Sequence, residues 1–137
     1  MKHFTYSIRP AYNEVDKMGY VYHANYVTYC HKARTEYMRS LGIPDSRIEE
    51  KDIMMPVISF DIIYKQPAHY DEQLEIQVTI QSLSKTRCTF EFVTYNNSSE
   101  HICTAHSTIV FVNSYTRKPL GIPAWIADIL EKQYEIA

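Results

Sequence analysis

The middle of the chain alternates strictly: Leu74, Ile76, Val78 and Ile80 are apolar, while Glu75, Gln77, Thr79 and Gln81 between them are polar. A period of two buries one face and wets the other, so residues 74–81 are predicted as a half-buried antiparallel strand. Ser82 to Thr86 makes a turn. Cys88, Phe90 and Phe92 then alternate with Thr89 and Glu91, up to the tight-turn composition Asn96-Asn97-Ser98-Ser99. Residues 102–112 form another strand. Upstream, residues 57–64 are a mostly apolar run broken by Ser59 and Asp61, as expected of a strand with one face partly open. Phe4 to Arg9 is β-rich and stops at Pro10, a short first strand.

Two segments follow a different period. Val27, Cys30, Arg34, Tyr37, Met38 and Leu41 recur at three- and four-residue steps, which predicts a helix from about Ala24 to Leu41. Gly42 and Pro44 end it, and Arg39 sits favourably in its last turn. After Pro123, residues 124–134 place Trp125, Ile126, Ile129 and Leu130 on one side of a short amphipathic helix. Asp45 to Asp52 and Asn113 to Pro119 are predicted as loops, the first with room for one helical turn. The order is strand, long helix, four long strands, short helix. Strands joined by short turns form an antiparallel sheet, and one long helix must cover a face of it. The expected class is therefore α+β, with a curled sheet of about five strands around one central helix. A chain of 137 residues makes this a single domain over residues 1–137.

Composition narrows the partners. At 45% hydrophobic and 22% charged residues the chain is an ordinary globular sequence, not a disordered one. A net charge of −2 gives no general attraction to nucleic acid or acidic membranes, so any polyanion must meet a local basic cluster. Residues 1–6 lack an apolar core and no apolar run is long enough for a span, which argues against a signal peptide or membrane segment. The 3 cysteines are odd in number and scattered, with no Cys-x-x-Cys, consistent with free thiols in a reducing cytoplasm.

The candidate chemistry lies between Tyr12 and Tyr26, just before the long helix. This stretch holds Glu14, Asp16, Gly19 and His23. A loop feeding a helix presents unpaired N–H groups and the positive end of the helix dipole, where an oxygen gaining negative charge is stabilised. If Gly19 turns the chain with a positive φ, Asp16 faces the same point, and a carboxylate opposite such donors can attack a carbonyl. The competing reading is that Asp16 is a cap, as carboxylates before helices commonly are. Elsewhere, His101 and Cys103 point opposite to His106 in a strand, so no tetrahedral metal site is implied.

The run Asp16-Lys-Met-Gly-Tyr-Val-Tyr-His-Ala-Asn-Tyr26, followed by Ala33-Arg-Thr-Glu-Tyr37, resembles the signature of the hydroxybenzoyl-CoA thioesterase family of hotdog-fold proteins, particularly its short bacterial acyl-CoA thioesterase branch. The similarity continues through Tyr64 to Asp71, Ser84 to Arg87 and Lys118 to Pro123. It implies a hotdog fold and hydrolysis of an acyl-CoA thioester with no metal or cofactor. The family's catalytic aspartate falls on Asp16, acting as general base or nucleophile, and the polarising backbone N–H falls on His23. Gly19 and Asn25 belong to the candidate substrate site as turn and helix-start residues, and Tyr22 and Tyr26 as packing groups or walls of the acyl pocket. Ser84, Lys85 and Arg87 are candidate contacts for the nucleotide of CoA near a partner subunit, with Arg117 and Lys118 in second place. A homodimer or homotetramer is expected. The alternatives are a hotdog dehydratase or hydratase and a non-catalytic acyl-thioester binding module.

Overall fold

A computed structural model of the chain describes residues 3–136. The strands are β1 (Phe4–Ile8), β2 (Ile53–Met54), β3 (Val57–Tyr64), β4 (Leu74–Leu83), β5 (Arg87–Asn96), β6 (His101–Asn113) and β7 (Pro119–Leu120). The helices are α1 (Asn25–Ser40), α2 (Asp45–Glu50) and α3 (Ala124–Ile136). The sheet is antiparallel throughout, in the order β1-β4-β5-β6-β3, with β2 and β7 pairing with the end of β6. Register shifts at Ile80/Ser82, Thr94/Tyr95 and Val57/Ser59 mark bulges, which sharpen the twist and let the sheet curl.

The curl wraps α1. Tyr26, Tyr29, Cys30, Ala33, Tyr37 and Met38 of the helix are buried against Leu74, Ile76, Val78, Phe90, Phe92 and Ala105 of the sheet. Ala33 lets the helix approach closely, and aromatic contacts fix its rotation: Tyr37 lies 5.4 Å from Phe4 and 6.3 Å from Phe90 between ring centroids. The alternation read at residues 74–81 is the one observed, with Leu74, Ile76, Val78 and Ile80 all buried on the inner face of the sheet.

The structure extends the sequence reading in three places. The strand predicted to stop at Gln81 runs to Leu83, because the bulge absorbs the break in alternation. The charged stretch after Asp45 is a full α2, anchored by buried Ile48 and by Arg47 lying 4.2 Å over the Trp125 ring. The strands β2 and β7 have 2 residues each, too few for a period to declare itself.

On the wet face of the sheet His106 bridges β3 and β5, with Nδ1 3.1 Å from Asp61 and Nε2 3.1 Å from Glu91. Desolvation pulls its pKa down, but hydrogen bonding and charge from both carboxylates outweigh this and hold it above the ordinary value of 6.5. A raised histidine stabilises the fold fully below its unfolded value and loses that contribution as pH climbs through the folded one. His106→Gln should therefore cost about 0.5 kcal/mol at pH 6 and less at pH 9, as read by thermal melts at both values. Equal losses at both would refute the charge argument.

Candidate active site

The loop before α1 is built by its own polar groups. Glu14 Oε1 accepts the Ala11 amide (2.7 Å) and the Tyr29 hydroxyl (3.1 Å), which ties a single tight turn at Tyr12–Glu14 to the helix. Burial and the Glu14 carboxylate push the Tyr29 hydroxyl well above the usual phenol range, so it stays a donor. The Glu14 carbonyl accepts the Tyr22 amide (2.9 Å) and the Asn25 side-chain amide (2.8 Å). Between these anchors Val15 pairs with Val21, and residues 16–20 form the tip. There the Asp16 amide donates to the Tyr20 carbonyl (2.8 Å) and the Gly19 amide to the Asp16 carbonyl (2.9 Å). Gly19 has φ +79, the left-handed value the tip demands.

Asp16 itself is exposed, and both readings of it have a physical counterpart. Its Oδ1 accepts the Met18 (2.8 Å) and Tyr20 (3.2 Å) amides, so one oxygen holds its own turn. Its Oδ2 takes no hydrogen bond among the described residues. Asp16 caps the loop tip and not the helix, since the helix N-cap is Ala24, with no side-chain cap.

That uncapped start is the second half of the site. The amides of His23 and Ala24 donate to nothing among the described residues, and they stand at the positive end of a 16-residue helix. The segment after β3 closes the other wall. The Tyr64 hydroxyl donates to the His23 carbonyl (3.0 Å), the Val21 amide to the Ala68 carbonyl (2.9 Å), and the Ala68 amide to the Tyr26 hydroxyl oxygen (3.2 Å). Burial pushes the Tyr26 hydroxyl up to about 12, so it remains neutral. The result is a cleft of about 380 Å³ lined by Asp16, residues 20–23, Tyr26 and residues 64–67.

Four of the sequence candidates thus share one cleft: Asp16, Tyr22, His23 and Tyr26. Gly19 lies on the other side of the tip, where it lines a second cleft of about 620 Å³ with Asp16, Tyr12 and Tyr70. Asn25 is spent on the Glu14 carbonyl and braces the loop. The His23 ring lies against Tyr22, 4.5 Å between centroids with the planes tilted by 42°. Ser84 holds the β4–β5 turn by accepting the Thr86 and Arg87 amides at 3.3 and 3.0 Å. With Lys85 it lines a separate cleft of about 550 Å³, which Arg87 does not line. This turn is at the far end of β4 from the 64–73 segment, roughly 30 Å away along a strand of 10 residues. Within one chain the basic cluster is therefore remote from Asp16. Tyr64, Lys65, Gln66 and Pro67 of the cleft received no role from the sequence, although the resemblance ran through them.

A sheet curled about one long helix is the hotdog fold, and in it Asp16 and His23, beside the uncapped helix start, line one cleft. The chain belongs to the thioesterase-like superfamily, whose family model matches residues 10–130. It is 32% identical over 122 residues to YneP of Bacillus subtilis, covering 86% of this chain and 88% of that one. It is 30% identical over 120 residues to the acyl-CoA thioester hydrolase YbgC of Escherichia coli O157:H7, covering 88% and 90%. The solved DHNA-CoA thioesterase of Staphylococcus aureus superimposes with a TM-score of 0.91 at 26% identity, covering 99% of this chain and 91% of that one. Among the described residues no helix is long and apolar enough to cross a membrane.

Proposed function

We propose that the chain hydrolyses acyl-CoA thioesters to the free acid and CoA, in the cleft between the Asp16 loop and the start of α1. The observation that carries this reading is that Asp16, whose Oδ2 accepts no hydrogen bond among the described residues, and His23, whose amide donates none, line the same cleft. The thioester carbonyl oxygen takes the His23 N–H, with the Ala24 N–H beside it, and the developing oxyanion is held by donors that need no reorganisation. Asp16 either removes a proton from the attacking water or attacks the carbonyl carbon itself, giving a mixed anhydride that water then opens. Collapse of the tetrahedral species expels CoA as its thiolate. A thiolate is a far better leaving group than an alkoxide and departs without help from a general acid, so one carboxylate and a set of amides suffice.

The remote basic turn fits the same reading only through a second copy of the chain. The edge strand β3 leaves Val57, Ile58, Ile63 and Tyr64 exposed, Ile63 to 60%. An apolar edge of this kind needs a cover. A homodimer joined along β3 would cover it and lets the Ser84, Lys85 and Arg87 turn of one subunit meet the nucleotide bound at the other. Light scattering at micromolar concentration should give twice the chain mass of 16.1 kDa; a monomer would reject this assembly.

Thiol release, followed with a chromogenic reagent across aliphatic, aromatic and hydroxyaryl acyl-CoAs, tests the reaction. The expected result is turnover of at least one class. If none is cleaved, the assignment fails in favour of a binding module.

A further inference from the structure

A second, smaller cavity opens on the other flank of α1 and plays no part in the mechanism above. Its volume is about 140 Å³, and its walls are Val27, Cys30, Val57, Phe60 and Phe92, with His31, Arg34 and Ser107 as the polar groups. Arg34 is only 5% exposed, yet it makes no ion pair among the described residues. Its guanidinium meets only the Met38 sulfur at 3.9 Å and His31 Nδ1 at 3.1 Å. Because arginine can only donate, that His31 nitrogen is the acceptor and the ring proton is on Nε2. Ser107, also 5% exposed, has no side-chain hydrogen-bond partner among the described residues.

A buried cation without a carboxylate costs the fold several kcal/mol and is retained only where something offsets it. The groups left over are all donors: the free N–H groups of the guanidinium and a hydroxyl that can give its proton. Donors of this kind match an acceptor-only anion, and the guanidinium fork matches a carboxylate in particular. The rest of the lining is apolar, and a cavity of about 150 Å³ holds a benzene-sized body. We propose that this cavity binds a carboxylate carried on a small apolar body, with Arg34 supplying the charge and Ser107 a further donor.

Two sources could deliver that group. The cavity begins at Val27, next to Tyr26 of the catalytic cleft, and His31 is about 12 Å along the helix from His23. An acyl group ending in a second carboxylate could span that distance, an arm that rests on the thioesterase reading. A free carboxylic acid, the product class of the same reaction, could instead bind on its own, which does not need that reading.

The probe is sodium butyrate, titrated into the full chain by calorimetry or NMR, with butyramide as the uncharged control. Butyrate should bind and butyramide should bind at least tenfold more weakly. Arg34→Met should fold, since it removes a buried charge and keeps the volume, and should lose butyrate at least tenfold; Asp16→Asn should bind it like wild type, which separates this cavity from the catalytic cleft. Ser107→Ala, should Arg34→Met not fold, is expected to weaken butyrate several-fold. A tenfold rise in KM for a terminal-carboxylate acyl-CoA in Arg34→Met, with its methyl ester unaffected, names the substrate as the source; unchanged KM values with butyrate still bound name the free acid. Absence of butyrate binding, equal binding of butyramide, or an Arg34→Met protein that binds like wild type would overturn the proposal. Failure of every acyl-CoA to turn over would sink the thioesterase reading and leave the titration to decide this one.

Discussion

Asp16→Asn should lower turnover of the best acyl-CoA by at least roughly 10²-fold, the size expected for loss of a general base, and should leave the melting temperature where it was. The choice of asparagine follows from the geometry. Met18 and Tyr20 donate to Oδ1, and an asparagine Oδ1 accepts the same two bonds, so the tip around Gly19 keeps its shape. What disappears is the charge and basicity at Oδ2, the oxygen that no described residue uses. Alanine would remove both functions together and could not tell them apart. Steady-state thiol release and a thermal melt on the same preparation decide the matter. A fall in melting temperature along with activity would return Asp16 to a structural capping role. An active, stable variant would move the chemistry to another group in the cleft.

How much of this was legible in the sequence depends on the range of the forces involved. The alternation along β4 and the three- and four-residue steps along α1 report burial on one face, a property each segment carries by itself. The loop tip was also local: the left-handed position fell on Gly19, and the open amide before the helix on His23. Long-range placement was less visible. Arg34 counted as one of the few charges on a covered helix, and only the fold shows that it is buried beside Phe60 and Phe92 with no ion pair among the described residues. Asn25 looked like a helix-start residue near substrate, but its partner is the Glu14 carbonyl, set by how the preceding turn docks. The distance from Asp16 to Lys85 could not be read from spacing, because the direction of β4 relative to the cleft settles it. The two-residue strands carried no periodic signal at all.

Phe90→Ala should destabilise the fold by about 3–5 kcal/mol, a loss on the order of 10–20 °C in melting temperature. Phe90 is fully buried at the centre of β5, with its ring 6.3 Å from Tyr37 of α1 and 6.3 Å from Phe92. Removing it takes away the transfer free energy of the ring and opens a void that the paired strands on either side, β4 and β6, can close only partly. The site lies elsewhere: the loop tip is held by Glu14, Asn25 and the segment around Ala68, none of which touches Phe90 through a hydrogen bond. Well below its lowered melting point the variant should therefore keep a kcat/KM close to wild type, and lose activity on heating in step with unfolding. This is the mirror image of Asp16→Asn, which removes chemistry and keeps stability. Should Phe90→Ala instead be inactive while still folded, the sheet would be setting the position of the α1 start directly, and the helix amides could no longer be treated as preorganised by the loop alone.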